Sequence, residues 1–372
     1  MKIATIVGAR PQFIKAAPVS RAIRAAAAGR NISEILVHTG QHYDDNMSAV
    51  FFEELGIAAP DYDLGIGSAP HGVQTGAMLA AIERILERER PDEVLVYGDT
   101  NSTLAGALAA AKLSIPIAHV EAGLRSYDRR MPEEINRVVT DHLASLLFCP
   151  SPAAASNLRK EGIREGVYVV GDVMVEALTE AVIQAKKRET TRGSEFGLAR
   201  LGLEDGGYFL ATVHRAENTD DPARLQNILA ALKTISRDRP VVFPVHPRTR
   251  KMIAAERPAG IRFIDPVGHL EMARLESGAA MILTDSGGMQ KEAYWLKVPC
   301  VTLRDRTEWV ETVAAGWNVL AGADRTQIVR AVRNFKRPRK SAPLYGGGSK
   351  TRTTAASRIV KTLLGTCQST HK

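Results

Sequence analysis

Three acid–base groups in this sequence stand directly behind apolar runs, where a buried strand delivers side chains to a ligand, and a fourth lies in the first turn of the helix that follows one of them. Asp99 lies in Tyr97-Gly98-Asp99-Thr100-Asn101-Ser102, and Glu121 in His119-Val120-Glu121-Ala122-Gly123-Leu124-Arg125-Ser126. Glu133 follows in Pro132-Glu133-Glu134-Ile135-Asn136-Arg137, and His214 in Val213-His214-Arg215-Ala216-Glu217-Asn218. Carboxylates placed after neighbouring strands of one domain are what proton transfer on both faces of a sugar ring requires. A histidine at such a position can donate to a phosphate or serve as an acid. Each group also has a plainer reading. Asp99 suits a helix cap, and Glu133 complements the dipole of the helix it begins. Arg137 is spaced as an i, i+4 partner of Glu133, and His214 suits a loop backbone contact.

A second set of residues could hold an anion. Gly8-Ala9-Arg10-Pro11-Gln12-Phe13-Ile14-Lys15 leaves an apolar run and enters a helix with proline in its first turn. Free amides and the positive dipole end of such a turn attract anions, and Arg10 and Lys15 add two cations suited to a diphosphate. An ordinary strand–helix turn with two exposed cations explains the same residues. The G-x-G-x-x-G fingerprint is absent, which argues against a nicotinamide cofactor. Leu283-Thr284-Asp285-Ser286-Gly287-Gly288-Met289-Gln290-Lys291-Glu292 is more specific. Its glycines let phosphate approach backbone amides, and Glu292, over a turn later, can accept two hydrogen bonds from ribose hydroxyls. His246, in Pro244-Val245-His246-Pro247, is a further strand-end candidate. Asp61-Tyr62-Asp63 resembles a D-x-D metal motif but follows Pro60, so it is assigned to a turn and no metal is expected.

These groups need a scaffold that places strand ends together. Short β-branched runs at 3–7, 35–38, 93–97, 115–120 and 146–149 alternate with helical stretches at 11–28, 45–55, 71–90, 101–113, 132–145 and 152–161. The rhythm restarts after a charged, weakly periodic segment from Lys186 to Gly207, with strands at 208–213, 241–245, 262–264, 280–284 and 299–303. Alternating strands and helices imply parallel βαβ units. The expected fold is therefore α/β, with two Rossmann-like domains facing a cleft at the carboxyl ends of their sheets. Residues 1–172 form the first domain and 173–350 the second, with a helix near 351–364 in the terminal stretch 351–372 packing back on the first.

Bulk properties narrow the function classes. The 372 residues are 45% hydrophobic and 24% charged, as in folded globular domains, and carry a net charge of +8. The basic residues are scattered apart from 186–188 and 333–340, and no aromatic-interleaved stripe accompanies them, so no nucleic acid partner is expected. Cys149, Cys300 and Cys367 are too widely spaced for a disulfide framework or a metal knuckle, and the first two read as buried hydrophobes. MKIATIV reads as a strand rather than a signal peptide, and no apolar run is long enough to span a bilayer. A cytoplasmic protein without membrane partners is expected.

The ordered segments GARPQFIK, TGQHYD, YGDTNST, HVEAGLRS, PEEINR, HRAEN, TDSGGMQKEA and TEWVETVAAG run along nearly the whole chain. Together they resemble the non-hydrolysing UDP-N-acetylglucosamine 2-epimerases. The resemblance implies a glycosyltransferase-B-like fold, a homodimer, a UDP-sugar substrate and no cofactor. It places Asp99, Glu121, Glu133 and His214 at the family's catalytic positions. Arg10, Lys15, Ser286, Gly287, Gly288 and Glu292 fall at UDP-sugar contacts, Arg137 matches an arginine beside the site, and His246 and Met272 join the expected substrate contacts. It further implies epimerisation at C2 by elimination of UDP and re-addition through a 2-acetamidoglucal. Several positions depart from the common pattern. Gln12 replaces a glutamate, Trp309-Val310 an Arg-Pro pair, Val267 a glutamine and Met272 a nearby aromatic, while Tyr345-Gly346-Gly347-Gly348 replaces Tyr-Gly-Asp-Gly. The Gln12 and Trp309 forms resemble a branch that includes epimerases of modified sugars such as UDP-2,3-diacetamido glucuronic acid. A hydrolysing epimerase, a retaining glycosyltransferase and a catalytically inert nucleotide-sugar sensor are the rival classes.

Overall fold

The computed structural model describes residues 1–41, 49–253, 258–339 and 354–367. The TGQHYD residues 42–44, the start of the helix expected near 45–55, Lys340 of the basic cluster, the Tyr345–Gly348 run and residues 351–353 of the last expected helix lie outside that set. By internal contacts the chain divides into unit 1, Met1–Ala177 with Pro343–Lys372, and unit 2, Leu178–Ala342.

Unit 1 is built on seven parallel strands in the order β3-β2-β1-β4-β5-β6-β7: β1 Lys2–Val7, β2 Ser33–His38, β3 Tyr62–Asp63, β4 Glu93–Tyr97, β5 Ile117–Val120, β6 Leu146–Cys149 and β7 Val167–Val169. All residues of β4, β5 and β6 are buried, as expected of central strands covered by helices on both faces. Unit 2 holds six parallel strands in the order β10-β9-β8-β11-β12-β13: β8 Phe209–Thr212, β9 Val241–Pro244, β10 Ile261–Ile264, β11 Met281–Thr284, β12 Cys300–Thr302 and β13 Asn318–Leu320. Both are doubly wound α/β sheets. Strand order reverses between β1 and β4 and again between β8 and β11, and such reversals are where open α/β sheets bind ligands.

The structure departs from expectation in three places. Tyr62 and Asp63 pair with Val37 and His38, so the segment assigned to a turn is an edge strand. The short edge strand β13 was not anticipated, because its three residues carry no usable period. The charged stretch from Lys186 begins as the end of one long helix, Val173–Arg192, followed by short turns at Gly193–Glu195 and Gly197–Arg200. Its charges do not break the helix because Leu178, Ala181 and Ala185 bury one face against Phe196 and Leu270. Val173 and Ala177, at its start, belong to the unit 1 core, so the division falls inside this helix rather than at residue 172.

The helix Ala355–Cys367 packs on the helix Arg10–Ala27 within unit 1, burying Ala356, Ile359 and Leu363. The Ala356 amide donates to Glu176 Oε1 at 2.9 Å. Burial pushes the Cys149 and Cys300 thiols up to about 12, which makes both poor nucleophiles. Among the described residues no helix is long and apolar enough to cross a membrane.

Glu93, at the start of β4, is buried with one carboxylate oxygen lacking a hydrogen-bond partner. Burial raises its carboxyl to about 7. A carboxyl whose folded-state pKa is raised favours the fold below its unfolded pKa, and that contribution shrinks as pH rises towards the folded value. Glu93→Gln should therefore be more stable than the parent by about 3 kcal/mol at pH 8 and show no gain near pH 4.5. Urea unfolding at the two pH values checks this; an equal difference at both would contradict it.

Candidate functional site

In unit 1 the turn after β1 is tightly built. A Cβ on Gly8 would lie 2.0 Å from Ser102 Oγ and 2.1 Å from Thr39 Oγ1, so only glycine fits there. The amides expected to be free for an anion are not. Gln12 Oε1 accepts from the Gly8 amide at 2.8 Å and the Ala9 amide at 3.1 Å, while its Nε2 donates to the Tyr97 carbonyl at 2.8 Å. The side chain seals the turn, so what the segment offers an anion is its two cations, Arg10 and Lys15. Arg10 is half-buried in the first helical turn. Lys15 is not an exposed cation, because its Nζ is paired with Glu121 Oε2.

Glu121 follows β5 with a positive φ of 76°, a left-handed conformation that costs a non-glycine residue roughly 1–2 kcal/mol. The strain turns its carboxylate towards Gly98. A Cβ at Gly98 would sit 3.2 Å from Glu121 Oε2 and 3.3 Å from Lys15 Nζ. Asp99 comes next along the chain. It is not the helix cap, since Thr100 occupies that position. Its carboxylate pairs with Arg137 Nη2, and its carbonyl accepts from Asn136 Nδ2 at 2.9 Å. Ends of β1, β4 and β5 thus bring Lys15, Glu121 and Asp99 into one neighbourhood.

Glu133 is exposed in the first turn of the helix Pro132–Leu143 and is not the partner of Arg137. Arg137 Nη1 instead donates to Glu134 Oε2 at 3.0 Å. Glu134 also accepts from the Ser126 and Tyr127 amides at 2.8 and 2.9 Å. Burial pushes the Glu134 carboxyl up, but these donors and Arg137 outweigh it and hold the group below its ordinary value. Glu134 is a structural anion that fixes the 126–127 loop.

In unit 2, Ser286 caps the helix Gly287–Leu296 behind β11. A Cβ at Gly287 would meet Glu308 Oε1 at 2.9 Å and Trp309 Nε1 at 3.0 Å, so that glycine packs closely against side chains of the Thr307–Val310 loop. At Gly288 the nearest atom would be Ser286 Oγ at 3.8 Å, which leaves its backbone approachable. Glu292 is half-buried on this helix, and its neighbour Lys291 lies under the Trp309 ring, 4.2 Å from the centroid. His214 is more than a loop contact. Its Nδ1 lies 3.3 Å from Asp285 Oδ1, and Asp285 also accepts from the His214 and Arg215 amides and from Asn218. That buried carboxylate holds the ring by its Nδ1 edge. His246 is exposed, its ring centroid 5.5 Å from that of His214. Met272 packs against the unit 2 core beside Val267.

A family model described as UDP-N-acetylglucosamine 2-epimerase matches residues 24–364. The chain belongs to that family. It is an enzyme of the epimerase class, and its relatives align end to end. A Methanococcus maripaludis protein named UDP-N-acetylglucosamine 2-epimerase homolog is 55% identical, over 90% of this chain and 92% of that protein. A Pseudomonas aeruginosa protein named UDP-2,3-diacetamido-2,3-dideoxy-D-glucuronate 2-epimerase is 52% identical, over 98% and 99%. The crystal structure of the Methanocaldococcus jannaschii UDP-GlcNAc 2-epimerase in complex with UDP-GlcNAc and UDP is 46% identical, with a TM-score of 0.84 and coverage of 98% and 99%.

Four residues around the enzyme's candidate groups escaped the sequence reading: His119, Glu134, Asp141 and Asp285. His119 and Asp285 lay inside segments singled out for their neighbours. Glu134, Arg137 and Asp141 recur at i, i+3 and i+7, a polar stripe on one helix face, and that spacing was the available signal.

Proposed function

We propose that the enzyme epimerises UDP-N-acetylglucosamine at C2 without hydrolysis, yielding UDP-N-acetylmannosamine. The observation that carries this reading is the cluster of Lys15, Glu121 and Asp99 at the strand-order reversal of unit 1, a carboxylate pair with a cation among it. The C2 hydrogen is not acidic, so a carboxylate removes it as the C1–O bond to UDP breaks, leaving a 2-acetamidoglucal. UDP then re-adds at C1 while a proton returns to the opposite face of C2. Asp99, Glu121 and Glu133 are the groups proposed for these transfers. Glu133, exposed and without a hydrogen bond or ion pair among the described residues, is the one with freedom to reach substrate.

The departing diphosphate needs positive charge where its own charge develops. Arg10, Lys15, His214 and the Ser286-Gly287-Gly288 turn are suited to it, with Glu292 on the ribose and Arg137, His246 and Met272 as further contacts. Arrival of the diphosphate draws Lys15 away from Glu121 and frees that carboxylate to act as a base.

A second reading has specific support. The 52% identity to the diacetamido-glucuronate epimerase lies between the 55% to the Methanococcus maripaludis homolog and the 46% to the Methanocaldococcus jannaschii enzyme, and supports a modified UDP-sugar as an alternative substrate. Incubating each UDP-sugar in heavy water and following the sugar by proton NMR tests both. Loss of the C2 proton signal with appearance of the C2 epimer, still attached to UDP, is the expected result. Free sugar would indicate hydrolysis, and binding without exchange for either sugar would overturn the epimerase reading.

A further inference from the structure

The two loops that carry Asp99 and Glu121 are tied to one buried carboxylate that no proton-transfer step uses. Asp141 sits in the last turn of the helix Pro132–Leu143, with its side chain wholly enclosed. Its Oδ1 lies 2.7 Å from His119 Nδ1. Its Oδ2 accepts from the Gly123 amide at 3.1 Å and from Arg125 Nη1 at 2.7 Å. On the other side of the imidazole, His119 Nε2 lies 2.8 Å from the Gly98 carbonyl oxygen. A carbonyl oxygen can only accept, so His119 Nε2 donates to Gly98 while its Nδ1 faces Asp141.

The consequence is geometric. Gly98, held by His119, is the residue immediately before Asp99. Glu121 lies between His119 and Gly123, which are both held by Asp141. Glu121 and Gly98 each have positive φ, 76° and 64°, and a left-handed glutamate persists only where its surroundings over-determine it. Two oxygens on one short side chain receive three donors from this loop. The same helix delivers Arg137 to the Asp99 carboxylate and Asn136 to the Asp99 carbonyl. Burial pushes the Asp141 carboxyl up, yet its contacts with His119 and Arg125 outweigh it and hold the group below its ordinary value.

We infer that Asp141 is a positioning residue for proton transfer at C2, fixing the Asp99 loop through His119 and the Glu121 loop through Gly123; this rests on the reading of those two carboxylates given above. Asn is close to isosteric with Asp. In Asp141→Asn the amide oxygen can serve Gly123 and Arg125 while the amide nitrogen donates to a neutral His119, so most of the frame survives. Asp141→Ala releases all three donors. Displacements near 1 Å in a reacting group slow turnover by about 100-fold.

The experiment measures C2 exchange in heavy water and the KM for the UDP-sugar in the full chain, for Asp141→Ala, Asp141→Asn, Glu121→Gln and the Asp141→Ala/Glu121→Gln pair. Circular dichroism and melting report the fold of each. Asp141→Ala should lose about 100-fold in kcat with KM within about threefold, and Asp141→Asn should recover most of that loss. In the Glu121→Gln background Asp141→Ala should cost clearly less, about tenfold or below, because the part of its effect that acts through Glu121 is already lost and only the part through Asp99 remains. If Asp141→Ala fails to fold, Asp141→Asn is carried through the same cycle, with a loss of up to about tenfold that shrinks in the Glu121→Gln background. Equal losses in both backgrounds, or a rise in KM with kcat unchanged, would overturn the inference. An Asp141→Ala enzyme of full activity beside an inactive Glu121→Gln would do the same, whereas a fully active Glu121→Gln would strike at the role given to Glu121 in the proposed function.

Discussion

Glu121→Gln should turn over its UDP-sugar about two to four orders of magnitude more slowly than the parent enzyme, the range set by loss of a general acid–base group. Glutamine keeps the length of the side chain and an oxygen for Lys15 to donate to, and it leaves the left-handed backbone at 121 as strained as before. Loss of stability should therefore not confuse the kinetics. The substitution also replaces the ion pair that holds Lys15 with a weaker neutral hydrogen bond, so the cation becomes more available to a diphosphate. UDP affinity measured by calorimetry should be unchanged or tighter while the rate collapses. Near-normal turnover would remove Glu121 from the chemistry, and weakened UDP binding would show that Glu121 organises the cation rather than competing for it.

Gly123→Ala should destabilise unit 1 by about 3–4 kcal/mol, the largest effect on stability expected at any motif position discussed. Two causes add. The φ of 79° places the residue in the left-handed region, worth roughly 1–2 kcal/mol against alanine. The new Cβ would lie 2.4 Å from the Ala154 carbonyl oxygen, and overpacking against fixed atoms costs about 1–3 kcal/mol. Ala154 belongs to the helix Pro152–Lys160 and cannot swing aside as a side-chain tip would. The clash moves the loop instead, and Glu121 moves with it. Urea unfolding should report the stability loss, and residual activity below the parent's at temperatures where the fold persists should report the displaced carboxylate. A variant as stable as the parent would mean that the two segments can separate at little cost.

Much of this was legible before any coordinates. Strands β1, β4, β5 and β6 announce themselves because central parallel strands are buried on both faces and read as unbroken apolar runs. The strand-end positions of Asp99, Glu121, His214 and Ser286 follow from the same runs, since a polar group at the end of a buried strand is easily seen. Edge strands were harder. β3 and β13 are short and half-covered, and nothing in two or three residues distinguishes a strand from a turn.

Which polar groups pair was not legible at all. The residue spacing offered Glu133 to Arg137, a free amide pair at Gly8 and Ala9, and a cap at Asp99. The fold assigns Arg137 to Glu134 and Asp99, fills the amides with Gln12, and caps the helix with Thr100. Local spacing is a property of one helix, whereas these partners come from segments far apart in sequence.

Hydrophobic period and motif order are local properties, so they suffice for the doubly wound class, the family and the strand ends where chemistry belongs. Tertiary structure alone decided the orientation of the groups there: the left-handed turn of Glu121, its ion pair with Lys15, and the enclosed Asp141–His119 tie that steadies two loops at once. Those outcomes depend on which donor meets which acceptor in a dry interior, where an unpaired polar group costs about 1–3 kcal/mol and every pairing constrains the next.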